Sequence, residues 1–204
     1  MSLSATPEAI LQFWFGHADP TQAPTSDPAQ WWNSTPELDQ RLREDFGPLL
    51  EQAGLGALDG WRDSPESALA LVILCDQFPR NIHRHTARAF AWDARARSVA
   101  HHIHSQGWAA GWHLDFATFS LMPFEHSEDL ADQDLCVAAF ERLVKESNPQ
   151  DRKNAKYYLS FAEEHRELIA RFGRFPHRNT ALGRTSTEAE RAHMASGGKS
   201  FGQG

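Results

Sequence analysis

Ser64-Pro65-Glu66-Ser67-Ala68-Leu69-Ala70-Leu71-Val72-Ile73-Leu74-Cys75-Asp76-Gln77-Phe78-Pro79-Arg80-Asn81 is the stretch that decides the fold class. A hydroxyl, a proline and an acid in succession start a helix: the hydroxyl caps the first free N–H groups, the proline sits where no N–H is needed, and the acid meets the positive end of the dipole. From Ala68 to Cys75 the chain is apolar on every side, without alternation. A helix apolar all round belongs in the middle of a domain. The pattern predicts a central buried helix ending at Phe78-Pro79, with Asp76, Gln77, Arg80 and Asn81 held against the core.

The same punctuation recurs on both sides. Thr6-Pro7-Glu8 precedes Ile10, Leu11 and Trp14 on one face, closed by Gly16, and Thr35-Pro36-Glu37 precedes the stripe Leu38, Leu42, Phe46, Leu49 and Leu50, closed near Gly54. Further on, Asp93 can cap a helix bearing Ala96, Val99, Ala100 and Ile103, which Gly107 closes. Residues 113–122 form a shorter aromatic helix stopped by Pro123. Ser127 can cap the next, in which Leu130, Val137, Phe140 and Val144 recur until Asn148-Pro149. Tyr158, Ala162, His165, Ile169 and Phe172 line a long helix ending at Gly173, and Thr187 with Glu190 makes a capping box. No stretch alternates in the manner of a strand. An all-α single domain over residues 1–196 is therefore predicted, a compact array of antiparallel helix pairs joined by short turns, with no 34-residue period. The glycine-rich residues 197–204 are expected to fray.

Composition excludes several functions. With 41% apolar residues, 7 Trp and 13 Phe in 204 residues, the chain can bury roughly 70% of its unfolded surface. A net charge of -7 speaks against a phosphate-collecting surface, so neither nucleic acid nor an anionic membrane is an expected partner. The longest apolar run, Ala68 to Cys75, is far short of the ~20 residues that span a membrane. The beginning of the chain lacks a basic region followed by an apolar stretch, so no secretory signal is expected. Cys75 and Cys136, both in apolar helical pattern, suit buried thiols in a reducing cytoplasm.

The polar segments between helices hold the chemistry. Phe78 to His104 carries Arg80, Arg84, Arg88, Arg95 and Arg97 against Asp93, whereas Arg171 to Arg184 carries four arginines and no acid. Glu125-His126-Ser127-Glu128-Asp129 opens a run with five acids by Asp134 and is read as a helix start. Two readings stand. The arginine-bearing turns can close on the acidic helix start as bidentate ion pairs that only hold the fold. Alternatively Arg80, Asn81, His126, Glu128, His165, Arg174, His177, Arg178, Asn179 and Arg184 line a cleft that clamps a small anion or an acidic peptide. The rival to such a binding protein is an enzyme in which His126 or His177 moves protons, oriented by Glu125 or Asp76. A scaffold offering a groove to a protein partner is a third possibility. His101 and His104 share a helical face without a third ligand, no His-Glu-x-x-His motif occurs, and neither a metal nor a cofactor is expected.

These polar segments also carry a family likeness. Phe13-Trp14-Phe15-Gly16, Trp31-Trp32, Asp76-Gln77-Phe78-Pro79-Arg80-Asn81, Met122-Pro123-Phe124-Glu125-His126-Ser127-Glu128-Asp129, Phe172-Gly173-Arg174-Phe175-Pro176-His177-Arg178-Asn179, Leu182-Gly183-Arg184 and Ser186-Thr187 make the chain resemble, nearly end to end, the bacterial family known as domain of unknown function 924. The resemblance implies an all-helical, tetratricopeptide-like fold and no settled activity. His85 stands where the family usually has glycine, and Ser120-Leu121 replaces a more usual Leu-Tyr pair.

Overall fold

A computed structural model describes residues 6–33 and 35–201. The amino-terminal residues 1–5 and the end of the expected tail, 202–204, lie outside the described residues. Among the described residues every regular element is helical.

Three hydroxyl-proline-acid starts act as caps. Helix α1 (Pro7–Phe15) is capped by Thr6 and closed by Gly16 at φ 85. A short α2 (Ala29–Trp32) leads to α3 (Pro36–Gly54), capped by Thr35. Ser64 caps α4 (Pro65–Val72). The chain then departs from expectation, because the helix does not end at Phe78-Pro79. Residues Ile73–Gln77 form a π turn, with the Phe78 N–H bonded to the Ile73 carbonyl, and α5 (Phe78–Ile82) continues from it. The widened turn has already displaced the i→i−4 ladder where Pro79 lacks its N–H, so the ring is accommodated. This central rod is buried from Ala68 through Arg80.

Helix α6 (Asp93–Ser105) has no side-chain cap, because the Asp93 carboxylate is spent on two arginines. Helix α7 (Leu114–Glu125) runs through Pro123 instead of stopping before it; the proline lies in the last turn, where one lost bond is tolerated. Glu125 therefore ends a helix rather than starting one. The cap of α8 (Leu130–Glu146) is Asp129, not Ser127, whose hydroxyl accepts the Asp129 N–H and donates to Asp132. Helix α9 (Arg152–Phe172) folds back on α8 as an antiparallel hairpin, with Arg166 reaching Asp134. The capping box of Thr187 and Glu190 starts α10 (Glu188–Ala195).

Aromatic rings fill the main core, where Trp14 meets Phe78 and Phe119 at 5.6 Å each and Phe15 stacks on Phe116 at 3.8 Å. A second cluster, including Leu121, Phe124, Cys136, Phe140 and Ala162, packs α6 and α7 against the hairpin. Burial pushes the Cys75 thiol up to about 12, so it is unreactive. His85 keeps the left-handed backbone, φ 62, that glycine takes at low cost. The segment expected to fray carries Phe201, whose ring stacks on His165 with centroids 3.7 Å apart.

Candidate functional site

The π turn, the end of α7, α9 and the turn Phe175–Asn179 meet around one buried carboxylate. Asp76 is fully buried, and its Oδ1 and Oδ2 lie 2.9 and 3.0 Å from His126 Nδ1. The Gln77 amide donates to Oδ2 at 2.6 Å, and Arg80 Nη1 stands 3.4 Å from Oδ1. Burial alone would raise the Asp76 carboxyl, but Arg80 and His126 outweigh it and hold it at about 2. For His126 the order is reversed: burial and Arg80 lower its pKa against the pull of Asp76. The imidazole is thus neutral at neutral pH. An ionised carboxylate only accepts, so Nδ1 carries the proton, and Nε2 is left with a bare lone pair and no partner among the described residues.

A guanidinium pair stands beside this dyad. Arg80 chelates Asp93 at 2.9 and 3.0 Å, and Arg178 Nη1 donates to the same carboxylate at 3.3 Å. Arg178 lies between the rings of Phe90 and Phe175, 4.7 and 4.4 Å from their centroids. Burial and then Arg80 bring it down to about 10, still charged at neutral pH. Its Nε is buried with no hydrogen-bond partner among the described residues, and Nη2 makes no bond there either.

The remaining groups are held neutral. Glu125, buried and facing the charges of Asp76 and Glu164, is pushed up to about 8. His165 donates from Nδ1 to the Phe161 carbonyl at 2.8 Å and stands 3.4 Å from Glu125; burial and then His126 keep it well below the usual range. Burial brings His177 to about 3, and its Nδ1 has no partner among the described residues. Two carboxyl groups whose environments push them to opposite sides of neutrality are the usual mark of assigned acid and base roles.

These side chains border a cleft with two lobes that share Trp32, Met122, His126, His165 and Phe201 as walls. The smaller lobe, about 140 Å³, is lined by Gln77, Arg80, Asn81, Arg84, His177 and Arg178. The larger, about 400 Å³, is lined by Thr118, Glu125, Phe140, Tyr157, Tyr158 and Phe161. The Thr118 hydroxyl is buried there and unbonded among the described residues.

The ligand-lining set expected from sequence divides in two. Arg80, Asn81, His126, His165, His177 and Arg178 reach the cleft, with Asp76 and Glu125 beside them. Glu128, Arg174, Asn179 and Arg184 do not line it. Arg174 is chelated by Glu190 at 2.6 and 2.8 Å, Arg184 by Glu128 at 2.7 and 3.0 Å, and Asn179 accepts from Arg184 while donating to Ser186 and Glu190. Glu128 also accepts the Phe175 N–H. These bonds brace the turn that presents Arg178. The sequence pattern does not place Trp32, Thr118, Tyr157, Tyr158, Phe161 and Phe201 at the cleft, which the structure does. Adjacent Tyr157 and Tyr158 gave the available hint, since neighbours on a helix cannot both face the core. Among the described residues no three His, Cys, Asp or Glu side chains stand close enough to hold a metal together.

The profile of the family described as bacterial proteins of unknown function, DUF924, matches residues 10–198. The chain belongs to that family. Apart from Phe201, the cleft residues named above fall inside the matched range. The solved structure of the protein of unknown function ATU0120 from Agrobacterium tumefaciens is 34% identical, superposes with a TM-score of 0.79, and aligns over 93% of this chain and 97% of its own. No functionally curated protein matches this DUF924 chain. Among the described residues no helix is long and apolar enough to cross a membrane.

Proposed function

We propose that this protein binds a small organic anion in the two-lobed cleft and moves a proton on it, with His126 as general base. The observation that carries this reading is the Asp76–His126 contact at 2.9 Å, which leaves Nε2 unprotonated and unbonded where a ligand can reach it. Asp76 is the positioning residue: it fixes the tautomer and stabilises the imidazolium formed when Nε2 takes a proton from a substrate O–H, C–H or a water. Arg178 receives the negative charge left on the substrate. Glu125, protonated at neutral pH, is suited to return a proton from the opposite lobe. Binding of the anion, expected from sequence for the whole arginine set, is assigned here to Arg178 with Arg80 behind it. The buried thiols of Cys75 and Cys136 fit a reducing cytoplasm as the place of action.

Other readings have less behind them. His104, over a separate hollow that it lines with Arg142, bonds the Ser120 hydroxyl rather than a carboxylate. A scaffold role gains little from the exposed large apolar side chains, because two of them, Trp32 and Tyr157, belong to the cleft.

A panel of carboxylic acids, organic phosphates and their esters, incubated with the full chain in D2O and followed by proton NMR, reads hydrolysis and hydrogen exchange together. The expected outcome is turnover of at least one compound, lowered about 10²–10⁴-fold in His126→Asn with the helical spectrum unchanged. Equal turnover by wild type and His126→Asn refutes the role of His126. Binding without any conversion reduces the site to a receptor.

A further inference from the structure

Beyond the cluster that carries the chemistry, the cleft has an unequal shape and an unequal lining, and both bear on what enters it. We infer that the substrate is an amphipathic monocarboxylate, its carboxylate in the arginine lobe at Arg178 and an aryl or medium-chain alkyl tail in the lobe walled by Tyr157, Tyr158 and Phe161. This rests on the proposed-function reading, in which an anion sits beside His126.

Size assigns the ends. The lobe of about 140 Å³ is the size of a cavity for one small group, close to the ~150 Å³ that holds a benzene ring, whereas the lobe of about 400 Å³ is more than twice that and falls in the range of small-molecule pockets, so the bulkier end goes there. Chemistry agrees with size. The small lobe presents the unbonded Nη2 of Arg178, a side chain nine-tenths or more buried whose only ion-pair partner among the described residues is Asp93. The large lobe presents rings: Tyr157 and Phe161 meet edge-on at 4.9 Å, and Trp32 lies 5.9 Å from Tyr158.

Charge selects a monoanion over a dianion. Arg80 and Arg178 face Asp76 and Asp93, Arg84 is paired with Asp39, Arg184 with Glu128, and Glu125 is neutral, so the surroundings of the small lobe sum to zero. A carboxylate adds one negative charge, which meets the Nη2 of Arg178 that is unbonded among the described residues. A phosphate dianion adds two, and nothing on the lobe wall offsets the second.

Isothermal titration of the full chain with acetate, butanoate and hexanoate, and with hexanamide and hexyl phosphate as controls, tests the assignment. Each pair of added methylenes is expected to raise affinity about tenfold, hexanoate binding about 100-fold more tightly than acetate. Phe161→Ala should shrink that gradient without changing acetate binding, and hexanamide should bind at least tenfold more weakly than hexanoate. Equal affinities along the acid series overturn the tail assignment while leaving His126 and the anion site intact. Equal binding of hexanamide and hexanoate overturns the head assignment, tighter binding of hexyl phosphate overturns the monocarboxylate, and no binding by any acid overturns the inference as a whole. The D2O experiment on His126→Asn decides separately whether the proton-transfer reading stands.

Discussion

Replacing Asp93 by alanine is expected to cost about 3–5 kcal/mol of stability, because it strips two buried guanidiniums of a shared carboxylate. Arg80 and Arg178 each keep only 7% of their side-chain surface in water. Arg80 retains the Asp76 carbonyl at 2.6 Å and its carboxylate at 3.4 Å, but Arg178 keeps no carboxylate among the described residues and is left beside a like charge. The cost is that of an uncompensated buried cation, not of a surface ion pair, whose loss is worth about 1 kcal/mol or less. Urea unfolding monitored by circular dichroism reads it as a shift in midpoint at constant slope. Adding Arg178→Met to Asp93→Ala should recover part of the loss, since it removes the stranded charge and keeps the apolar contact with Phe90 and Phe175. A loss below about 1 kcal/mol would show that the guanidiniums are hydrated.

Glu125→Gln has the opposite sign, and its effect depends on pH. The Glu125 carboxyl is raised from its ordinary 4.5 to about 8, first by burial and then by Asp76 and Glu164. A group raised in this way binds more protons folded than unfolded between the two values. Its contribution to stability is therefore whole below pH 4.5 and is lost as pH climbs toward 8. At pH 8 the loss is on the order of 4 kcal/mol. Glutamine keeps the shape of the protonated carboxyl and does not titrate. Glu125→Gln should thus match wild type near pH 4.5 and exceed it by about that amount at pH 8. Thermal melts across this range measure the difference, and a variant no more stable at pH 8 than wild type would place Glu125 in contact with water. Asp76 sets the acid limb: held at about 2, it contributes stability above its ordinary 3.8 that is lost as pH falls toward 2.

How far the sequence reveals this can be followed residue by residue. The helices were legible because capping hydroxyls, N1 prolines and closing glycines act locally, and Thr6, Thr35, Ser64 and Thr187 cap as their spacing predicts. Pro79 and Pro123 misled for a physical reason. Proline forbids a helix interior only where the ladder is intact, and one stands just past a π turn while the other stands in a last turn. Asp93 and Ser127 have the look of caps because sequence displays local partners and hides distant ones: Asp93 is claimed by Arg178, 85 residues away. The same limit divided the arginine set. Arg174, Arg178 and Arg184 look alike in sequence, yet Glu190 and Glu128 take the outer two and leave Arg178 facing the cleft. The pairing of Asp76 with His126 could be suspected but not chosen over Glu125, because the π turn, which sequence does not announce, sets the direction of that helix end.

The claim on which the rest depends is that His126 is a neutral imidazole protonated at Nδ1 by its contact with Asp76. Two-bond ¹⁵N–¹H correlation spectra of the histidine rings at neutral pH, assigned by comparison with His126→Asn, read protonation and tautomer directly. The expected pattern is an Nδ1–H tautomer with an unprotonated Nε2 that loses its fixed form in Asp76→Ala. An imidazolium, or an Nε2–H tautomer indifferent to Asp76, would contradict it.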